Sequence, residues 1–95
     1  MQFVIIAYDG KDPSKRLNAR EEHLSKVNKL REEKKFIQGA AILDEEDNMI
    51  GSVMIMDFPT REEFDKYLEE EPYVVNKVWE KIEVLPCKVP PIFLD

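Results

Sequence analysis

The chain has 95 residues, 43% hydrophobic and 36% charged, a balance that suits one globular domain over residues 1–95 and excludes an intrinsically disordered chain. A domain this short buries only about 60–65% of the surface it exposes when unfolded, so self-association would add to its stability. Fourteen Lys and Arg against 20 Asp and Glu leave a net charge of −6, which repels phosphate backbones and anionic bilayers and argues against nucleic acid or a membrane as partner.

Phe3 to Tyr8 is a run of β-branched and aromatic residues that stops at Asp9-Gly10, the pattern of a strand entering a loop. The run is too short for a signal peptide and lacks a basic flank, and the single Cys87 has no partner for an internal disulfide. No stretch approaches the roughly 18 apolar residues of a membrane span, so the expected location is the cytoplasm. Asp12-Pro13 supplies an N-cap and a proline at the first helical position, which predicts a helix from there to Lys35 with Leu17, Leu24, Val27 and Leu30 as its apolar stripe.

Phe36 to Leu43 and Met49 to Phe58 read as two strands joined by the acidic turn Asp44 to Asn48. Thr60-Arg61-Glu62-Glu63 is a capping box, in which the threonine hydroxyl accepts from the Glu63 N–H and the Glu63 carboxylate reaches back. It opens a shorter helix with Phe64, Tyr67 and Leu68 inward. Glu71-Pro72-Tyr73 interrupts that helix, and Pro72 restarts a short one through Trp79. Glu80 to Val89 is a fourth strand whose Pro86 fits an edge or a bulge, and Pro90-Pro91 ends it.

The order β-α-β-β-α-β predicts an α+β domain of ferredoxin-like type, a four-stranded antiparallel sheet with both helices on one face. By alternation Ile50, Ser52, Met54 and Met56 point one way and Val53 and Ile55 the other, while Phe3, Ile5 and Ala7 oppose Val4, Ile6 and Tyr8. Both faces are therefore apolar, and helices cover only one. The other is expected to meet the sheet of a second copy, giving a homodimer; the alternative is that the tail Pro91-Ile92-Phe93-Leu94 folds over it.

The arc of the first helix that carries its leucines also holds His23 and Arg20. A titratable group on that side needs a partner, because unpaired burial of a charge is costly. Helical spacing alone favours a satisfied rim histidine with a snorkelling arginine over a functional pair. Ser52 is the one polar side chain on its sheet face, suited to a buried hydroxyl or a hydrogen bond with a substrate, and the lack of a G-x-S-x-G elbow and of a nearby oxyanion hole argues against a hydrolase nucleophile. Asp44, closing the second strand, and Glu71, at the corner, are the two carboxylates that could orient the imidazole. One histidine and one cysteine cannot build a structural zinc site, and three scattered glycines make neither a phosphate loop nor a dinucleotide fingerprint, so no metal and no cofactor are expected. Met49, Met54 and Met56 read as core filler.

Taken in order, Phe3 to Asp9, Arg16 to Leu24 with its R-x-x-H-L segment, Gly39 to Asp44, Gly51-Ser52 and Glu71-Pro72-Tyr73 resemble the YCII-related (YciI-like) family across almost the whole chain. The resemblance implies a dimeric α+β barrel and an active site at His23 with an acidic partner, here Asp44 or Glu71. The family's usual Asp-Pro-Tyr is Glu-Pro-Tyr in this chain, and the proline that follows the hairpin glycine in many relatives is Ala40. Relatives of this kind are associated with small-molecule turnover, including elimination on degraded aromatics.

The expectation that follows is a cofactor-free small-molecule enzyme of lyase or isomerase type acting on an anionic or phenolic compound. His23 is the general acid/base, Asp44 or Glu71 orients it, Arg20 holds substrate charge, and Ser52 and Tyr73 supply hydrogen bonds. The alternative from another class is a dimeric binding or regulatory module that uses the same pocket without catalysis.

Overall fold

The strand richest in β-branched and aromatic residues, the first, ends up inside the sheet, where both its edges are hydrogen-bonded. In the computed structural model, which describes residues 1–94, β1 (Gln2–Asp9), α1 (Pro13–Glu32), β2 (Phe36–Leu43), β3 (Met49–Asp57), α2 (Arg61–Glu70), α3 (Pro72–Val75) and β4 (Trp79–Cys87) follow one another. A 3-10 turn at Pro91–Phe93 comes after them. The sheet order is β2-β3-β1-β4 and every pair is antiparallel. This is the ferredoxin-like βαββαβ fold.

Alternation along β1 and β3 sends Phe3, Ile5, Ala7, Met54 and Met56 to the helical side, where they form the core with Ala19 and Leu30 of α1 and Phe64 and Tyr67 of α2. Phe3 and Phe64 stack with ring centroids 4.3 Å apart. Val4, Ile6, Val53 and Ile55 lie on the other face and stay partly open to solvent. In the tail, Ile92 is 84% and Phe93 67% exposed, so these two apolar residues are not spent on covering that face. Among the described residues no helix is long and apolar enough to cross a membrane.

Several boundaries differ from the expectation, each for a local reason. α1 stops at Glu32 rather than Lys35 because Lys34 turns left-handed (φ 61°), letting the Lys34 and Lys35 N–H groups close on Arg31 and Leu30 carbonyls at 3.0 and 2.9 Å. The face of α1 turned to the sheet carries Arg16, Ala19, His23 and Leu30, whereas Leu17 and Leu24 of the expected stripe are 64% and 44% exposed. The helix is rotated because the two polar residues find partners beneath it. Ile50 leaves the Ser52, Met54, Met56 face: Leu43 opposes Met49 and Ile42 opposes Gly51, so Ile50 is an extra residue in a bulge. Gly51 makes that bulge possible, since a Cβ there would lie 2.4 Å from the Ala7 carbonyl oxygen.

The Thr60 hydroxyl accepts from the Glu63 N–H at 3.1 Å, but among the described residues the Glu63 carboxylate makes no return bond, so the capping box is half formed. Pro72 restarts the helix for one turn only. α3 ends at Val75, Lys77 (φ 56°) reverses the chain, and Trp79 opens β4 instead of closing a helix. Pro86 sits in β4, an edge strand, where its missing N–H costs no second partner.

Candidate active site

A cleft opens between α1 and the β2-β3 half of the sheet because the strand floor there is built from small residues. Gly39 pairs with Met54 and Ala41 with Ser52, so both face α1, and neither has the bulk to fill the gap. The resulting space is about 290 Å³. Arg16, Arg20, His23, Ser52 and Tyr73 line one end, Arg31 and Phe36 the other, and Leu24, Val27 and Met54 the stretch between. Among the described residues the wall contains no aspartate or glutamate, in a chain with six more acids than bases.

His23 is held from two sides. Its ring lies against that of Tyr73, centroids 4.0 Å apart and 12° from parallel, with the edge of Trp79 at 6.4 Å. Its Nδ1 bonds to Glu71 Oε1. Glu71 is fully buried, and its carboxylate also accepts from the Tyr67 hydroxyl at 2.5 Å and the Tyr73 N–H at 3.3 Å. The one carboxylate thus meets three polar groups. With the carboxylate as acceptor, the imidazole donates from Nδ1 and Nε2 carries the lone pair. That atom bonds no described residue and is not sealed in the interior, which leaves it to the cleft.

The local sequence explains this arrangement. Thr60 starts α2 so that Tyr67 and Glu71 are one turn apart on its inner side, and the break before Pro72 lets the Glu71 side chain cap α3. Burial raises the Tyr67 phenol far above its ordinary value near 10, and the adjoining Glu71 carboxylate pushes the same way. The Tyr73 phenol is also raised, by burial against the lowering pull of Arg16 and Arg20. Its hydroxyl makes no hydrogen bond among the described residues and stays protonated as a donor facing the cleft.

Arg16 forms the second buried cluster. Its Nε and one terminal nitrogen grip Asp9 at 2.6 and 3.0 Å, the latter nitrogen also donates to Ser52 Oγ at 2.7 Å, and its guanidinium lies 4.7 Å above the Tyr73 ring. Of the residues singled out from sequence, His23, Glu71, Ser52, Tyr73 and Arg20 thus gather at one end of the cleft. Asp44 does not. It stays in the β2-β3 turn, accepting from the Glu46 and Asn48 N–H groups at 2.8 and 3.0 Å, bonds that hold its carboxyl below the usual range. It is a turn residue because those donors are local and His23 is on another element.

Arg16, Asp9 and Tyr67 were missed. Arg16 lies two helical turns before His23 on the same face, and Tyr67 one turn before Glu71; both spacings were legible. Nothing local marks Asp9 as the partner of Arg16.

Fold and site together define a ferredoxin-like protein with a histidine–carboxylate dyad at the wall of a small-molecule-sized cleft. The YCII-related domain model matches residues 1–88, and the chain belongs to that family. It is 30% identical over 95 residues to Protein YciI of Escherichia coli O6:H1, covering 93% of this chain and 97% of that one, and equally to Protein YciI of Shigella flexneri. Among solved structures it is similar to 5-chloro-2-hydroxyhydroquinone dehydrochlorinase (TftG) of Burkholderia phenoliruptrix AC1100, in complex with 2,5-dihydroxybenzoquinone, with a TM-score of 0.83 at 21% identity over 97% and 98% of the two chains. SnoaB, a cofactor-independent oxygenase of Streptomyces nogalater, shares the fold at a TM-score of 0.55 and 8% identity, over 94% and 93% of the chains.

Proposed function

We propose that the protein is a cofactor-free acid/base enzyme of lyase type that acts on a small hydroxylated aromatic or enolic compound as a cytoplasmic homodimer. The observation that carries this reading is the buried Glu71 carboxylate on His23 Nδ1, with Nε2 left to the cleft. Nε2 takes a proton from a ring hydroxyl, and the O–H electron pair becomes the carbonyl of a quinone-type product. The displaced π pair takes that proton back from Nε2 at the ring carbon bearing the leaving group, and transfer of a second ring-hydroxyl proton to Nε2 then expels the group as an anion; the isomerase variant stops once the carbon is protonated. Glu71 stabilises the imidazolium that forms and fixes its orientation. Arg20 and the neutral Tyr73 hydroxyl hold the developing phenolate, and Ser52, set by Arg16, offers a further hydrogen bond. The dehydrochlorinase that shares the fold is named for a substrate of this kind, 5-chloro-2-hydroxyhydroquinone, which supports the substrate class.

The test is a panel of polyhydroxylated aromatics carrying a ring leaving group, followed by absorbance of the quinone product. Turnover by the native protein is expected, and His23→Gln should lower it about 10²–10⁴-fold with the near-UV circular dichroism of the fold retained. Binding without turnover points to a ligand-binding module, and full activity in His23→Gln rules out the histidine as the base.

A further inference from the structure

The end of the cleft far from His23 is unused by this chemistry, and it is built differently. Arg31 lies eight residues beyond His23 on α1, about 12 Å along the axis at 1.5 Å per residue. Between them the walls are apolar, with Leu24 and Val27 from the helix and Met54 from the sheet. A cavity of about 150 Å³ already holds benzene, so a cleft of about 290 Å³ has room for more than one ring.

The arginines divide by whether they are already satisfied. Arg16 is occupied by Asp9 and Ser52, and on the surface Lys26, Lys35 and Arg61 each have a carboxylate within 4 Å. Two cleft arginines have none among the described residues, Arg20 at the His23 end and Arg31 at the far end. Asp57, which borders a neighbouring depression with Arg31, is engaged by the N-terminal amine and the Gln2 amide. A guanidinium facing a cleft wall without acids, in an acidic chain, is a receptor for a planar oxyanion.

Resting on the reading of His23 given above, we propose that the substrate is two-ended: a hydroxylated ring at His23, an apolar spacer of a few carbons along Leu24 and Val27, and a terminal carboxylate held by Arg31. The lengthwise order of the cleft is then the order of the ligand. Specificity would come from the tail, because the head is held mainly by groups that suit any phenol.

The experiment uses three probes and calorimetric titration, with the fluorescence of Trp79, the single tryptophan and 6.4 Å from His23, as a second readout. The probes are hydroquinone, 4-(2,5-dihydroxyphenyl)butanoate and the neutral amide of that acid. The acid is expected to bind about tenfold tighter than its amide, and in Arg31→Met, which keeps an aliphatic stem on an exposed helical position, the ratio should fall below about threefold. Equal affinity of acid and amide for the native protein, or a tenfold ratio that survives in Arg31→Met, overturns the proposal. Hydroquinone binding without any gain from the tail would do so while leaving the His23 site standing. Failure of all three probes to bind removes both.

Discussion

Glu71 is an acid kept away from water, where it takes hydrogen bonds from Tyr67, Tyr73 and His23 and supports the imidazole. Replacement tests the two halves of that statement separately. Glu71→Ala leaves the Tyr67 hydroxyl and the His23 Nδ1–H without acceptors, at about 1–3 kcal/mol each, so urea unfolding should show a loss of about 2–5 kcal/mol. Glu71→Gln keeps the volume and an acceptor oxygen but no longer stabilises an imidazolium; its larger loss should appear in turnover, about 10²-fold or more. A glutamine variant that is fully active would make Glu71 a structural residue only.

The phenols give a pH prediction at the same scale. Both Tyr67 and Tyr73 are raised in the folded state, first by burial. In the unfolded chain they ionise near 10, so below that value the two states hold the same phenolic protons and the phenols add no slope. Above about pH 10 the unfolded chain releases protons that the folded one retains, and stability must fall as pH rises. Urea midpoints measured from about pH 8 to pH 11 should be flat and then decline, more shallowly in Tyr67→Phe. An equal decline in that variant would locate the alkaline sensitivity elsewhere.

At the scale of elements, β2 is the strand that makes the site by what it lacks. Ala41 faces α1 opposite Ser52, and its neighbour on that side is Gly39. Ala41→Leu should therefore fill the cleft, lowering affinity for hydroxylated aromatics at least about tenfold while leaving the melting temperature unchanged or raised, since the added methyl groups enter open space rather than a packed core. α1 offers the complementary case. Its leucine spacing marked the helix correctly, yet the buried face follows Arg16, Ala19 and His23, because the sheet and the α2-α3 corner present Asp9, Ser52 and Glu71 to them. Periodicity of apolar residues reads which residues prefer to leave water; it cannot read that a charged residue has a partner waiting on another element. Leu17→Lys, at 64% exposure, should consequently change stability by no more than about 0.5 kcal/mol. A loss of 2 kcal/mol or more would restore the leucine stripe.

For the whole molecule, topology and strand alternation were legible because they rest on local patterns of period two and on turn chemistry at Asp9-Gly10, Asp44 to Asn48 and Thr60. The choice between Asp44 and Glu71 was not, since it depends on how far apart two elements stand in space. The outer face of the sheet belongs to the legible part. Val4 opposes Ile55 and Ile6 opposes Val53 across β1 and β3, giving a half-exposed apolar patch at the centre of the sheet. Burying such side chains fully is worth about 1.5–3 kcal/mol each, and a chain of 95 residues has little stability to spare from its own core. A second sheet laid on this face is the association that the proposed homodimer requires. Ile6→Lys places one ammonium per copy in the middle of that contact, where two like charges would be desolvated together. Sedimentation equilibrium should show the native chain as a dimer and Ile6→Lys as a monomer at concentrations near 10 μM. The variant should remain folded, because the helical side that holds the core and the His23–Glu71 pair is on the opposite face. A native monomer at that concentration, or a lysine variant that still dimerises, would mean that the outer face is not where two copies meet.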